Sequence, residues 1–168
     1  RKKLYAYWWK VIEFYLCLGF DGFRADAAYQ IPPELWKFLI AKARAKKPGV
    51  LFLGETLGCA VFKTIEIAEC GFDYTFNSIK YWDYRERWPI DQLCEQLAFL
   101  KDVHTISFPE SHDTERLFAD EGGDINKVRA RLLVCAFWSA GLMITSGFEY
   151  CFRKRLHVVK TDESYMDP

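Results

Sequence analysis

The chain has 168 residues and is 51% apolar, ample for one buried core and short for two domains. Its 23 basic residues balance 23 acidic ones, which removes the electrostatic case for nucleic acid or an anionic membrane as partner. The six cysteines lack CxxC or Cys/His ligand spacing, and neither a signal peptide nor a membrane-length apolar run is legible, so no metal or cofactor is expected and a reducing cytoplasm is the expected location.

Residues 4–18 carry Leu4, Tyr5, Trp8, Trp9, Ile12, Tyr15 and Leu16 at helical spacing, and Gly19 stands where a helix end favours a left-handed residue. A strand follows in Gly19-Phe20-Asp21-Gly22-Phe23-Arg24-Ala25-Asp26. Pro33 opens a second helix through Leu35, Trp36, Phe38, Leu39 and Ile40, closed by the basic run 42–47 and Pro48-Gly49. A strand over 50–54, a helix over 61–69 ending at Gly71, and an alternating strand over 72–76 come next. Residues 78–88 read as a loop excursion with a short helix. Pro89 then opens an amphipathic helix through Leu93, Leu97 and Leu100. A fourth strand spans 105–108, Asp124 is placed to cap a long helix over 125–140, and a fifth strand spans 142–145. The tail from Gly147 is aromatic, basic and irregular. Strand and helix alternate with short links, which predicts an α/β fold with a parallel sheet.

The chemistry sits at the strand ends. Phe20, Gly22, Arg24 and Asp26 share one strand face, and a guanidinium two residues before a carboxylate keeps it ionised and aimed. The strand 50–54 runs into Glu55, and the fourth runs into Glu110-Ser111-His112-Asp113. Apolar strands that each stop at an acid predict a ring of carboxylates at the C-terminal edge of the sheet, where α/β barrels hold their sites. Each acid alone also reads as a surface charge, a helix cap or half of an ion pair. Together they suit glycosyl transfer with retained configuration, which needs one carboxylate to attack the anomeric carbon and another carboxyl group to protonate the leaving oxygen. Asp26, beside Arg24, suits the nucleophile. Glu55, after Phe52 and Leu53 with no adjacent cation, suits the general acid. His112 and Asp113 suit a pair that grips sugar hydroxyls, and 17% aromatic content supplies flat faces for sugar rings.

Gly22-Phe23-Arg24-Ala25-Asp26-Ala27-Ala28, Leu53-Gly54-Glu55 and Phe108-Pro109-Glu110-Ser111-His112-Asp113 resemble the second, third and fourth signature regions of the α-amylase superfamily, glycoside hydrolase family 13, in the right order. The resemblance implies a (β/α)₈ TIM barrel, of which the chain holds about strands 4 to 8 as a single partial catalytic domain, open and inactive alone. It implies Asp26 as nucleophile, Glu55 as acid/base and Asp113 as the stabilising acid, with Arg24 and His112 contacting nucleophile and substrate. An α-glucan or malto-oligosaccharide is the implied substrate. Two departures narrow it: Tyr29-Gln30 stands where typical amylases carry a Lys-His acceptor-side pair, and Ser111 where they often carry Asn. They point to a glucan-modifying or maltosyl-transferring relative as readily as to a starch-cleaving amylase, with Tyr29 as a substrate contact. The basic patch Arg153-Lys154-Arg155 with His157 reads either as a solvated loop or as a phosphate-contacting element suited to a sugar-phosphate donor.

Two other readings compete. A non-catalytic barrel relative serving as a carbohydrate-binding or scaffold protein would be expected to lose one of the acids, and all three are present. An open nucleotide-binding sheet would need a glycine-rich phosphate loop, and neither GxGxxG nor a Walker sequence occurs.

Overall fold

A computed structural model describes residues 2–99 and 103–166. Its first helix, α1 (Lys2–Cys17), buries Trp9, Ile12 and Leu16 along one stripe. The helix closes as the sequence predicts: Gly19 takes a φ of 97°, Gly19 N–H donates to the Leu16 carbonyl and Phe20 N–H to that of Tyr15, each at 3.1 Å. The chain then enters β1 (Gly22–Ala25), which pairs in parallel with β2 (Leu51–Gly54) in the register Phe23↔Phe52 and Ala25↔Gly54. Between them α2 (Pro33–Lys46) starts on its proline and buries Leu35, Leu39, Ile40 and Ala43. After α3 (Val61–Ala68), β3 (Tyr74–Phe76) pairs in parallel with β2.

Two compact units divide the chain: residues 1–77 with 90–105, and residues 78–89 with 106–168. The first is held by an aromatic ladder. Phe23 meets Phe52 at 5.5 Å between ring centroids, Phe52 meets Phe72 edge-on at 6.2 Å, and Trp36 meets Phe72 at 5.2 Å. A partly buried carboxylate completes this core. Asp73 accepts from the Phe52 N–H through one oxygen and from Arg44 Nη2 through the other, both at 2.8 Å. α4 (Trp88–Phe99) carries Pro89 in its first turn, and Leu100, assigned to the same helix from sequence, lies outside the described residues.

β4 (His104–Ser107) leads into the second unit, where it pairs in parallel with β5 (Gly141–Leu142) at Ile106↔Gly141 and Ser107↔Leu142. The short α5 (Leu117–Asp120) went unseen in the sequence, having too few residues for a periodic stripe. α6 (Ile125–Phe137) is capped as expected by Asp124, whose side chain accepts from Asn126 N–H at 2.9 Å. The five strands follow one another as β1-β2-β3-β4-β5 in a parallel sheet, an α/β architecture that forms part of a TIM barrel.

The strands are shorter than the sequence predicts. β1 excludes Phe20, which is half exposed, and β3 starts at Tyr74 because Phe72 turns into the core and Asp73 is engaged with β2. β5 ends at Leu142, with one further ladder bond from Met143 N–H to Ser107 O at 2.8 Å. A strand at the end of the order pairs on one side only, and Leu142 and Ile144 there remain exposed. The expected short helix within 78–88 is a single 3₁₀ turn, Ile79–Tyr81. Of the thiols, Cys70 and Cys135 are buried, and Cys17 and Cys94 exposed. Burial pushes the Cys135 thiol up to about 11.

Phe52 is fully buried at the centre of the aromatic ladder. Phe52→Ala should therefore cost about 3–5 kcal/mol, read as a fall in the urea midpoint at unchanged slope. A loss below about 1 kcal/mol would place the core elsewhere.

Candidate active site

β1 and β2 deliver the first two acids. The last register pair is Ala25↔Gly54, so Asp26 and Glu55 are the next residues out on neighbouring parallel strands. The ladder continues past the strands: Glu55 N–H donates to the Ala25 carbonyl and Ala28 N–H to the Glu55 carbonyl, both at 2.9 Å. Both acids thus leave the sheet at its C-terminal edge.

Their surroundings differ sharply. Glu55 is 9% exposed, and both its carboxylate oxygens are held by backbone: Oε2 accepts from Ala27 N–H at 2.8 Å and Oε1 from Leu57 N–H at 2.5 Å. The first bond depends on Ala27, which sits in the left-handed region at φ 41° and ψ 47°. That conformation is costly for a residue with a Cβ, and here it directs the amide at the acid. The following 3₁₀ turn, Ala28–Gln30, is fixed by Trp36, whose indole Nε1 donates to the Ala28 carbonyl at 3.0 Å. Asp26, by contrast, has 76% of its side chain exposed and is paired with Arg24 Nη1. The Arg24 guanidinium lies 5.6 Å from the centre of the Phe76 ring, against the next strand but one. Arg24 and Asp26 also border a cavity of about 360 Å³ lined mainly by apolar side chains of α1, β1, α2 and Phe52 of β2.

The third acid belongs to the second unit. Beyond β4, His112 Nε2 stands 3.1 Å from Asp113 Oδ2, and the Asp113 side chain is 72% exposed. Asp113 N–H donates to Ser111 Oγ at 3.2 Å, and its carbonyl accepts from Arg155 Nη2 at 2.9 Å. Tyr29 is half-buried and packs against the hydrophobic cluster of the first unit. In the basic patch, Arg153 lies over the Phe118 ring at 4.6 Å, Lys154 over Tyr165 at 4.0 Å, and His157 Nδ1 accepts from Val159 and Lys160 N–H. Among the described residues no group of three His, Cys, Asp or Glu side chains gathers as a metal site would. No described helix is long and apolar enough to cross a membrane.

The sequence reading missed Trp36 and Ala27 as supports of the site, since neither residue type signals a role at those spacings. It also missed a buried pair, Glu110 and Arg116, six residues apart.

No family model matches the chain. It is 27% identical over 151 residues to an α-1,4-glucan:maltose-1-phosphate maltosyltransferase of Burkholderia pseudomallei, covering 86% of this chain and 13% of that protein. It is 29% identical over 94 residues to the maltosyltransferase of the same name from Mycobacterium tuberculosis, covering 55% of this chain and 13% of that protein. Among solved structures, an α-amylase from Lactobacillus plantarum superposes with a TM-score of 0.75 at 22% identity, over 96% of this chain and 43% of that one. The chain is similar to the α-amylase superfamily in sequence and in fold. It spans 13% of the length of the maltosyltransferases and 43% of that amylase, so the α-amylase-like barrel is present here in part.

Glu55 is bonded into the fold and Asp26 is not, which yields a prediction about stability. Glu55→Ala leaves the Ala27 and Leu57 amides without their acceptor and should cost about 1–3 kcal/mol. Asp26→Ala removes a largely exposed pair and should cost under about 1 kcal/mol. Urea unfolding of the two variants checks this, and equal losses would refute it.

Proposed function

We propose that this chain carries the catalytic acids of a retaining α-glucan-active enzyme, a hydrolase or a glycosyl transferase, with Asp26 as nucleophile and Glu55 as acid/base. The observation that carries this reading is the bonding of Glu55 to the backbone on both sides of Asp26, through Ala25, Ala27 and Ala28. It supports residues 26 and 55 at adjacent register positions on neighbouring strands, a start from which carboxyl groups about 5–6 Å apart would give retention. Asp26, open to solvent and steered by Arg24, attacks the anomeric carbon. Each oxygen of Glu55 keeps a second lone pair beyond its backbone bond, and one of these faces the glycosidic oxygen to pass a proton first to the leaving group and then from the acceptor. Asp113, with His112 at its side, holds sugar hydroxyls and stabilises the cationic transition state.

The names of the curated relatives favour a maltosyl donor activated by phosphate. The free thiols favour a reducing compartment such as the cytoplasm. We further propose that the catalytic barrel closes through strands beyond these five. β1 and β5 stand at the two ends of the strand order, and α1 leaves Tyr7, Trp8 and Phe14 exposed.

In an active enzyme that contains this chain, Asp26→Asn should abolish turnover and trapping by a mechanism-based fluoroglycoside. Glu55→Gln should spare substrates with good leaving groups in the first step and lose most on poor ones. Across soluble starch, maltose and α-maltose-1-phosphate, the short donors should be used best. Starch as the best substrate would refute the donor assignment, and a Glu55→Gln loss independent of leaving group would remove Glu55 from its role. Retained sugar binding with no turnover in any form would instead favour a carbohydrate-binding relative.

Residues 1–168 alone should release no sugar from any of these donors, since a (β/α)₈ barrel typically takes about 250 residues. Robust turnover by a soluble monomer would overturn the proposal of a barrel completed elsewhere.

A further inference from the structure

The mechanism leaves one buried ionised cluster unused. Glu110 and Arg116 stand at the two ends of segment 111–115, which carries His112 and Asp113, and both side chains are 2% exposed. Arg116 spends its whole guanidinium on the second unit. Nη1 donates to Glu110 Oε1 at 2.7 Å and Thr145 Oγ1 at 2.9 Å, Nη2 to the Ser146 carbonyl at 2.8 Å, and Nε to the Lys154 carbonyl at 3.2 Å. Glu110 uses its other oxygen to accept from Leu117 N–H at 2.6 Å, and the Thr145 hydroxyl donates to Oε1. The cluster therefore closes both ends of the segment on each other and ties them to the exit of β5 and to the tail. Arg155, the next residue of that tail, reaches back to the Asp113 carbonyl.

Inside the bracket the segment is held by short-range bonds among its own residues and by Arg155, which bonds the Asp113 carbonyl and pairs with Glu115. Ser111 N–H donates to Thr114 Oγ1 at 2.9 Å and Thr114 N–H to the Ser111 carbonyl at 3.3 Å, while Asp113 itself is exposed. Two charges buried this deeply are rarely the most stable filling for a core, since apolar side chains of similar volume cost less desolvation. What a fully hydrogen-bonded pair supplies is direction. We propose that Glu110 and Arg116 form a positioning clamp that holds His112 and Asp113 in place for the sugar. The proposal rests on the function assigned above, and neither clamp residue touches substrate.

The chain has three histidines, so the ring signals of His112 can be followed by NMR beside those of His104 on β4 and His157 in the tail. Arg116→Lys keeps the charge but lacks the planar fork. In the 168-residue chain it should move and broaden the His112 signals while those of His104 stay in place. Arg44→Lys, which loosens the Arg44–Asp73 pair in the first unit, is the control and should leave His112 unmoved. Should Arg116→Lys fail to fold, Thr145→Val, which removes one bond from each clamp partner, is read in its place and should shift His112 in the same way. In an active enzyme that contains this chain, the folded variant should lower kcat/KM about 100-fold, the cost of a misplacement near 1 Å. Wild-type His112 signals in the variant that is read, or an equal shift with Arg44→Lys, would overturn the clamp. An enzyme without activity in any form would overturn the functional reading and leave the NMR result to decide the clamp.

Discussion

Parallel pairing of β1 on β2 in one register is what the placement of Asp26 and Glu55 depends on, because it makes residues 26 and 55 neighbours at the same strand end. A slip by one residue would turn Arg24 and Asp26 toward the core and Phe23 and Ala25 away from it. Two glycines guard against this. A Cβ at Gly22 would lie 2.9 Å from the Leu51 carbonyl oxygen, and one at Gly54 would lie 3.1 Å from the Phe72 ring. On the other side of β2, Asp73 fixes the approach of β3 by accepting from the Phe52 amide. The β1–β2 register is thus set by close approach at the glycines as well as by the apolar pattern.

The two acids of that pair are held by opposite means. Glu55 is buried and bonded to two amides, so the orientation of its carboxyl group belongs to the backbone of the loops around it. Asp26 is open, with a single arginine to steer it. In the proton-donor role proposed for Glu55, backbone bonds would give an orientation that side-chain rotamers alone would not. The nucleophile role proposed for Asp26 needs access to the sugar, and its exposure serves that need. The left-handed Ala27 is where the cost is taken, one strained residue fixed by the Trp36 indole behind it.

In the second unit the same division recurs at a loop. Half-buried His112 and exposed Asp113 sit on a segment whose ends are buried and charged, and the basic tail supplies contacts to that segment. Arg153, Lys154 and Arg155 each lie against a ring, a carbonyl or a carboxylate of the same unit. The patch is therefore tied into its own chain.

The sequence by itself determined the alternation of strand and helix, the acids that follow β1, β2 and β4, the glycine turn after α1 and the Asp124 cap. These are local matters, decided by residue type and spacing over a few positions. Only the tertiary structure decided which backbone groups hold Glu55, that Tyr29 packs into the hydrophobic cluster, and that Glu110 and Arg116 pair out of water. Ala27 and Glu55 are 28 positions apart, and although Glu110 and Arg116 are only six apart, the groups that enclose them come from Thr145, Ser146 and a tail 38 residues beyond Arg116. No spacing rule reaches that far. The choice of partner for a buried polar group is made by the strand register and by which side chains exclude water around it.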